Sequence, residues 1–320
     1  MMNWLNTYRR YACDIKRINE QARCDAKGFV EMTEEIYQND LRHIAEQILT
    51  VPAKRHIIML SGPSSSGKTT SAQKLADEFR LKGCEVQHIS MDDFYLGKDK
   101  VRKLPNGKPD FESVKALDIP LVKKSVRELS ETGKCDIPKY DFKESRRADM
   151  IQHLGLSSNA VIIIEGIHAL NPVFNDVSAE ENVSKIYVSV KQGIKDNEDY
   201  VLTNREIRCI RRVVRDNSFR EAPPEKLLAM WGDIVDGEKK YIRPYRYTSD
   251  FTINSIHIYE PCIMKEPAIK LLEQINEKSE YYHTARHLIK SLSGFESIDS
   301  SIVPENSLMR EFIGGGNYVY

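Results

Sequence analysis

The sequence predicts an α/β fold on a mostly parallel, doubly wound sheet, and three observations carry that expectation. From His56 onward, short apolar runs alternate with amphipathic helical stretches, the pattern of a parallel sheet covered by helices. The first run leads straight into a glycine- and serine-rich loop that opens a helix, the strand–loop–helix order of a phosphate-binding loop. The 320 residues are 41% hydrophobic and 29% charged, enough for one large domain with appendages and unlike a disordered or collagenous chain.

Two helices are expected ahead of the sheet. Trp4, Tyr8, Tyr11, Ile15 and Ile18 recur at helical spacing, and so do Leu41, Ile44, Ile48 and Leu49 behind a cap at Asn39 or Asp40. Val51–Lys54, with Pro52, breaks the pattern and divides an N-terminal helical extension (1–54) from the main domain (55–285). Ile57–Leu60 reads as a buried strand. Thr69–Lys82 follows as a helix, with Leu75, Ala76 and Phe79 on one face and Gly83 past its end. Further strands are expected at Val86–Ser90, Val161–Ile164, Ile186–Val190 and Phe251–Asn254, and a helix at Ile119–Ser130 with Pro120 in its first turn. Asn204–Arg215 and a stretch through Trp231 and Val235, separated by Pro223-Pro224, read as lid helices. Residues 286–320 are read as a C-terminal helix and docking tail, with Val303–Gly314 apolar and motif-like and Gly314–Gly316 a flexible stretch or docking turn.

The loop Gly62-Pro63-Ser64-Ser65-Ser66-Gly67-Lys68-Thr69 fits G-x-x-x-x-G-K-[ST]. Glycines let successive backbone N–H groups turn inward onto phosphate oxygens, and the helix adds its positive N-terminal end. Lys68 is positioned for the β- and γ-phosphates and the Thr69 hydroxyl for Mg²⁺. A nucleoside triphosphate, taken as ATP with Mg²⁺, is therefore the expected ligand.

Charge and composition narrow the partners. Lys plus Arg (47) balances Asp plus Glu (47), so no overall field draws nucleic acid or an anionic membrane surface. No apolar run approaches the roughly 20 residues of a membrane span, and the N-terminal residues do not read as a secretory signal. Cys13, Cys24, Cys84, Cys135, Cys209 and Cys262 are scattered without a C-x-x-C pair, as in a reduced, cytoplasmic protein. Homo-oligomer formation is left open.

A kinase needs a carboxylate near the γ-phosphate as well as a phosphate loop. Asp92 follows the strand Val86–Ser90, and Glu165 follows Val161–Ile164, so both acids reach the carboxyl edge of the sheet, where ligands sit in doubly wound folds. The spacing of Arg208, Arg211, Arg212 and Arg215 places them on one side of a helix, where arginines can neutralise charge on a transferred phosphoryl group.

The ordered set S-G-P-S-S-S-G-K-T-T, S-M-D-D-F-Y, I-P-K-Y-D-F-K-E-S-R-R, I-I-I-E-G-I-H-A-L and R-R-V-V-R-D resembles the uridine kinase and phosphoribulokinase family from about His56 to Asn254. The resemblance implies a P-loop NTPase-type core with a helical lid, and an ATP- and Mg²⁺-dependent transfer to the 5′-hydroxyl of a nucleoside. It implies Asp92 as the base, with Lys68 and Arg215 as further catalytic groups. The implied ATP contacts are Gly62 to Thr69, Thr70, Arg212 and Arg220. Thr69, Glu165 and Asp92 are the implied Mg²⁺ ligands. On the acceptor side it implies Tyr95, Tyr140, Phe142 and Arg147, with Glu112 at the ribose hydroxyls and Asp110 as the alternative.

The chain departs from the family pattern at Ser145, where a base-contacting histidine is expected, at Ala222, in place of a second lid arginine, and in an insertion near Gln192–Leu202. His168, beside Glu165, is either an acceptor contact or a structural histidine, and Trp231, Tyr241, Tyr245 and Tyr247 are read as packing under the lid or against a neighbouring subunit. The expected function is a uridine kinase acting on uridine or cytidine. The alternatives are a kinase of another alcohol, such as ribulose 5-phosphate or pantothenate, or a nucleotide-dependent switch. Lys139, Lys143, Arg146 and Arg147 keep the sugar phosphate open.

Overall fold

Strands β1 (Arg55–Ser61), β2 (Glu85–Ser90), β5 (Ala160–Glu165), β6 (Val183–Ser189) and β9 (Phe251–Asn254) form one sheet in the order β2-β5-β1-β6-β9. Every neighbouring pair in it is parallel. This is a computed structural model, and it describes residues 13–104, 107, 109–141, 144, 146–177 and 182–318. All five expected strands are present. β5 is buried along its whole length, which is why its sequence is a continuous aliphatic run instead of an alternating one.

The twofold period of a strand divides the core into two layers. Ile58, Leu60, Val161 and Ile163 face a layer shared with the N-terminal helices, α3 (Lys68–Leu81) and the C-terminal segment. Ile57, Met59, Ile162 and Ile164 face the opposite layer, filled by Val122, Val126 and Leu129 of α4 (Ile119–Thr132). Helix α1 (Ile15–Cys24) starts where Asp14 accepts from the Lys16 and Arg17 amides. Trp4, Tyr8 and Tyr11 lie outside the described residues.

Helix α2 (Ala26–Leu49) corrects the expected cap at Asn39 or Asp40. The cap is Asp25, which accepts from the Gly28 amide, and the two polar residues sit inside a 24-residue helix. The apolar stripe through Phe29, Val30, Tyr37, Leu41, Ile44 and Ile48 is buried, and that packing outweighs the weak helix preference of two polar positions.

An unforeseen antiparallel hairpin, β3 (Lys134–Asp141) and β4 (Arg146–Gly155), stands apart from the main sheet. The insertion at Gln192–Leu202 forms a second hairpin, β7 (Ile194–Asp196) with β8 (Asp199–Leu202). Helix α5 (Asn204–Arg220) is started by a reciprocal Thr203–Glu206 cap and is followed by α6 (Pro224–Gly237). After α7 (Glu260–Leu272), α8 (Tyr282–Ser293) spans position 286, and the chain ends through the short α9 (Arg310–Ile313). Among the described residues, no helix is long and apolar enough to cross a membrane.

Trp231, Tyr241 and Tyr245 pack partly buried against the two core layers. Among the described residues Tyr247 packs under nothing: it is 78% exposed, with the Arg246 guanidinium over its ring, which leaves the expected alternative of packing against a neighbouring subunit.

Candidate active site

The loop after β1 is held in a shape few sequences adopt. Gly67 has φ +82° at the start of α3, and a Cβ at Gly62 would collide with the Val188 carbonyl oxygen. Ser65 takes the left-handed conformation at φ +56°. The Ser65 and Ser66 hydroxyls are buried and have no hydrogen-bond partner, which suits a loop built to receive an anion.

Helix α5 braces this loop from one side. Arg208 donates to the Ser64 carbonyl, Arg211 to the Ser65 carbonyl and Arg212 to the Ser64 hydroxyl. The arginines of this helix, Arg220 included, do two different jobs. Arg208 and Arg211 are 3% and 0% exposed and are ion-paired to Glu238 and Glu260 at 2.6 Å each, so they hold the loop's shape. Arg212, Arg215 and Arg220 line a cleft of about 210 Å³ beside Lys68 and Thr69. Asp216, 2% exposed, anchors all three at 3.4, 2.8 and 3.5 Å. Asp216 closes the R-R-V-V-R-D run, and its one- and four-residue spacing to these arginines is the sequence signal for that role.

Across the cleft stand the carboxylates. The Ser90 hydroxyl accepts from the Asp92 amide and donates to Glu165, so one side chain fixes both acids at the ends of β2 and β5. Enclosure in the cleft, reinforced by the Glu165 charge and opposed by Lys68, raises Asp92 to a pKa of about 6. Burial also raises Glu165, against the pull of Lys68 and of its hydrogen bonds to Ser90 and Thr69. Two crowded acids beside a hydroxyl form a hard, anionic oxygen set that fits Mg²⁺. Among the described residues, no group of three His, Cys, Asp or Glu side chains forms a metal cage, and Mg²⁺ in such sites takes its remaining ligands from water and phosphate.

Glu112 lines the same cleft, and burial lifts it to a pKa of about 7. Asp110 does not line it and accepts from the Tyr241 hydroxyl at 3.2 Å. Asp93, next to Asp92, is taken up by Lys139 at 2.6 Å. Tyr95 also lines the cleft, with its hydroxyl donating to the Phe111 carbonyl and its ring 5.8 Å from that of Tyr140.

Other implied positions are not brought into the cleft. Arg147 pairs with Asp118 at 3.1 Å and lines a separate cavity along the β3–β4 hairpin. The Thr70 hydroxyl donates to Glu311 at 2.6 Å, a partner 241 residues away in the chain. Pro63 faces a neighbouring basic cavity of about 510 Å³. Phe142, Lys143 and Ser145 lie outside the described residues. His168 is 1% exposed, and burial, opposed by the Glu112 backbone beside it, lowers it to a pKa of about 4.

Comparison with known proteins bears on this arrangement. Residues 57–259 match the family model described as Phosphoribulokinase / Uridine kinase family. A uridine kinase of Lactobacillus johnsonii is 27% identical over 198 residues, covering 59% of this chain and 85% of that protein. A uridine kinase of Schizosaccharomyces pombe is 31% identical over 169 residues, covering 52% of this chain and 33% of that protein. Among solved structures, a candidate fructose transport system kinase from Silicibacter sp. superposes with a TM-score of 0.50 at 19% identity, over 66% of this chain and 98% of that one, a likeness of fold.

Proposed function

We propose, because this chain belongs to the phosphoribulokinase / uridine kinase family, that it transfers the γ-phosphoryl group of ATP to the 5′-hydroxyl of uridine or cytidine. The observation that carries this reading is the single cleft in which Asp92 stands with Lys68, Thr69 and Glu165 beside the phosphate loop. A carboxylate so placed can orient an acceptor hydroxyl and accept its proton, as a general base requires.

In this reading the loop amides and Lys68 bind the triphosphate. Thr69, Glu165 and Asp92 hold Mg²⁺, which supplies neutralising charge to the phosphates. Asp92 orients the acceptor hydroxyl and takes its proton as the oxygen attacks the γ-phosphorus in line. The bond to the bridging oxygen breaks and ADP leaves, while Arg212 and Arg215 stabilise the charge spread over the phosphoryl oxygens. Glu112, facing the cleft, is the acceptor for two ribose hydroxyls, and Tyr95 and Tyr140 offer apolar surface to the base. The nucleoside end of ATP extends past Pro63 and Arg208 into the adjoining basic cavity.

Of the cations that a sugar-phosphate acceptor would draw on, Lys139 and Arg147 are bound to Asp93 and Asp118, and Arg146 is exposed, so the acceptor panel below decides between the two. A nucleotide switch would have no use for Asp92 and Glu112 in the cleft. The test is ADP release with ATP and Mg²⁺ against uridine, cytidine, adenosine, ribulose 5-phosphate, pantothenate and no acceptor, with Asp92→Asn alongside. Turnover with uridine or cytidine that disappears in the variant supports the reading. Turnover with a non-nucleoside alone overturns the acceptor assignment, and acceptor-independent hydrolysis unaffected by Asp92→Asn overturns the kinase.

A further inference from the structure

We propose that the C-terminal segment Leu308–Phe312 is a working part of the phosphate site, with Glu311 a positioning residue that aims Arg215 into the cleft. This rests on the kinase reading and extends it to residues beyond the family match, which ends at 259.

Three contacts carry the inference. Leu308, 0% exposed, closes directly over the loop: a Cβ on Gly67 would lie 2.6 Å from its Cδ1. Glu311, 6% exposed, lines the same cleft as Lys68, Asp92 and Glu165. Its Oε2 accepts from the Thr70 hydroxyl at 2.6 Å, and its Oε1 lies 3.3 Å from Arg215 Nη1. Phe312, 0% exposed, lies beneath the guanidinium groups of Arg211 and Arg215, at 5.0 and 6.0 Å from its ring centre.

The Arg215 side chain is long and flexible, and left alone it would sample many directions. Here its Nε is held by Asp216 at 2.8 Å, its Nη1 by Glu311, and its flat face rests near Phe312. Two carboxylates on different elements fix the plane of the guanidinium, which one could not. A purely structural clasp would not need a negative charge inside a cleft built for polyanions. That charge is useful where it orients a cation that meets the phosphoryl group.

The test uses the full chain and measures kcat, the KM for ATP and thermal unfolding for Glu311→Gln, Glu311→Asp, Arg215→Ala and the Arg215→Ala/Glu311→Gln double variant. Glu311→Gln is expected to lower kcat roughly tenfold to a hundredfold, with the KM for ATP within about threefold of wild type. Glu311→Asp is expected to recover part of the loss. In the Arg215→Ala background, Glu311→Gln adds little, because both act through one group. If Glu311→Gln does not fold, Glu311→Asp takes its place in the cycle, being expected to lose less. Wild-type kcat in the Glu311 variant, or losses that multiply in the double variant, overturn the proposal alone. A wild-type chain that turns over no acceptor overturns the kinase reading and, with it, any phosphoryl group for Arg215 to meet.

Discussion

On the donor side of the cleft, Arg208 and Arg211 are 3% and 0% exposed, and each ties the phosphate loop to a second element through a carboxylate. The β3–β4 hairpin, which carries Tyr140 of the proposed acceptor side, leaves Met150 and Ile151 64% and 54% exposed, and its Arg147–Asp118 pair is partly open to water. On the proposed reading, the groups for phosphoryl transfer are set in buried, multiply fixed parts, and the surfaces that would choose an acceptor stand on more exposed ones, where substitution costs little.

The largest test of that contrast is at the junction of the two sides. Asp92→Asn is expected to cut kcat by about 10²–10⁴-fold while binding of metal-free ATP, followed by calorimetry, changes little. Loss of metal-free ATP binding in parallel would break the contrast, because the acid would then be holding the nucleotide itself.

Next come the two arginines. Arg211→Ala strands Glu260 in the core and is expected to destabilise the fold by about 3–5 kcal/mol in urea unfolding. Arg147→Ala breaks a partly exposed pair and is expected to cost less than about 1 kcal/mol. Equal losses would remove the distinction.

The buried acid Glu34 of helix α2 should also show itself at low pH. Burial alone would raise Glu34, but His257 beside it and hydrogen bonds from Ser307 and Tyr259 bring its pKa down to about 2. A carboxylate depressed on folding stabilises the native state above its unfolded pKa, and that stability is lost as pH falls from about 4.5 toward 2. The drop is on the order of 3 kcal/mol, and Glu34→Gln should flatten it in pH-dependent unfolding. A slope unchanged by the substitution would assign the acid sensitivity elsewhere.

The smallest effect belongs to acceptor binding. With Glu112 raised to a pKa of about 7, its ionised fraction grows as pH rises from 6 to 8. The KM for the nucleoside should then fall by up to about tenfold over that range, with the trend absent in Glu112→Gln. A KM that is flat in the unmodified chain would remove Glu112 from the ribose contact.

What the sequence disclosed follows the same division between local and distant causes. The phosphate loop is encoded within eight adjacent residues, and the strands feeding Asp92 and Glu165 are short apolar runs that end at those acids, so both could be read directly. Thr70 and Glu311 are 241 residues apart, and no spacing rule connects them. The β3–β4 hairpin escaped notice because Pro138 and Lys139 interrupt its alternation, and a bulge lies there. Asp216 was hidden for another reason: an acid among arginines on a helix also reads as ordinary solvated surface, and its 2% exposure comes only from tertiary packing.

Leu308 and Glu311 meet the loop only after more than two hundred further residues have been joined to it. A ribosome delivers Gly62–Thr69 first, so the nascent chain carries a phosphate loop with an uncovered Gly67 and an Arg215 without its second carboxylate until residues 308–311 have been made. Maturation of the site waits on those residues. A chain stopped before Val303 should show a weakened ATP-induced rise in unfolding temperature, and an undiminished rise would separate loop assembly from the tail.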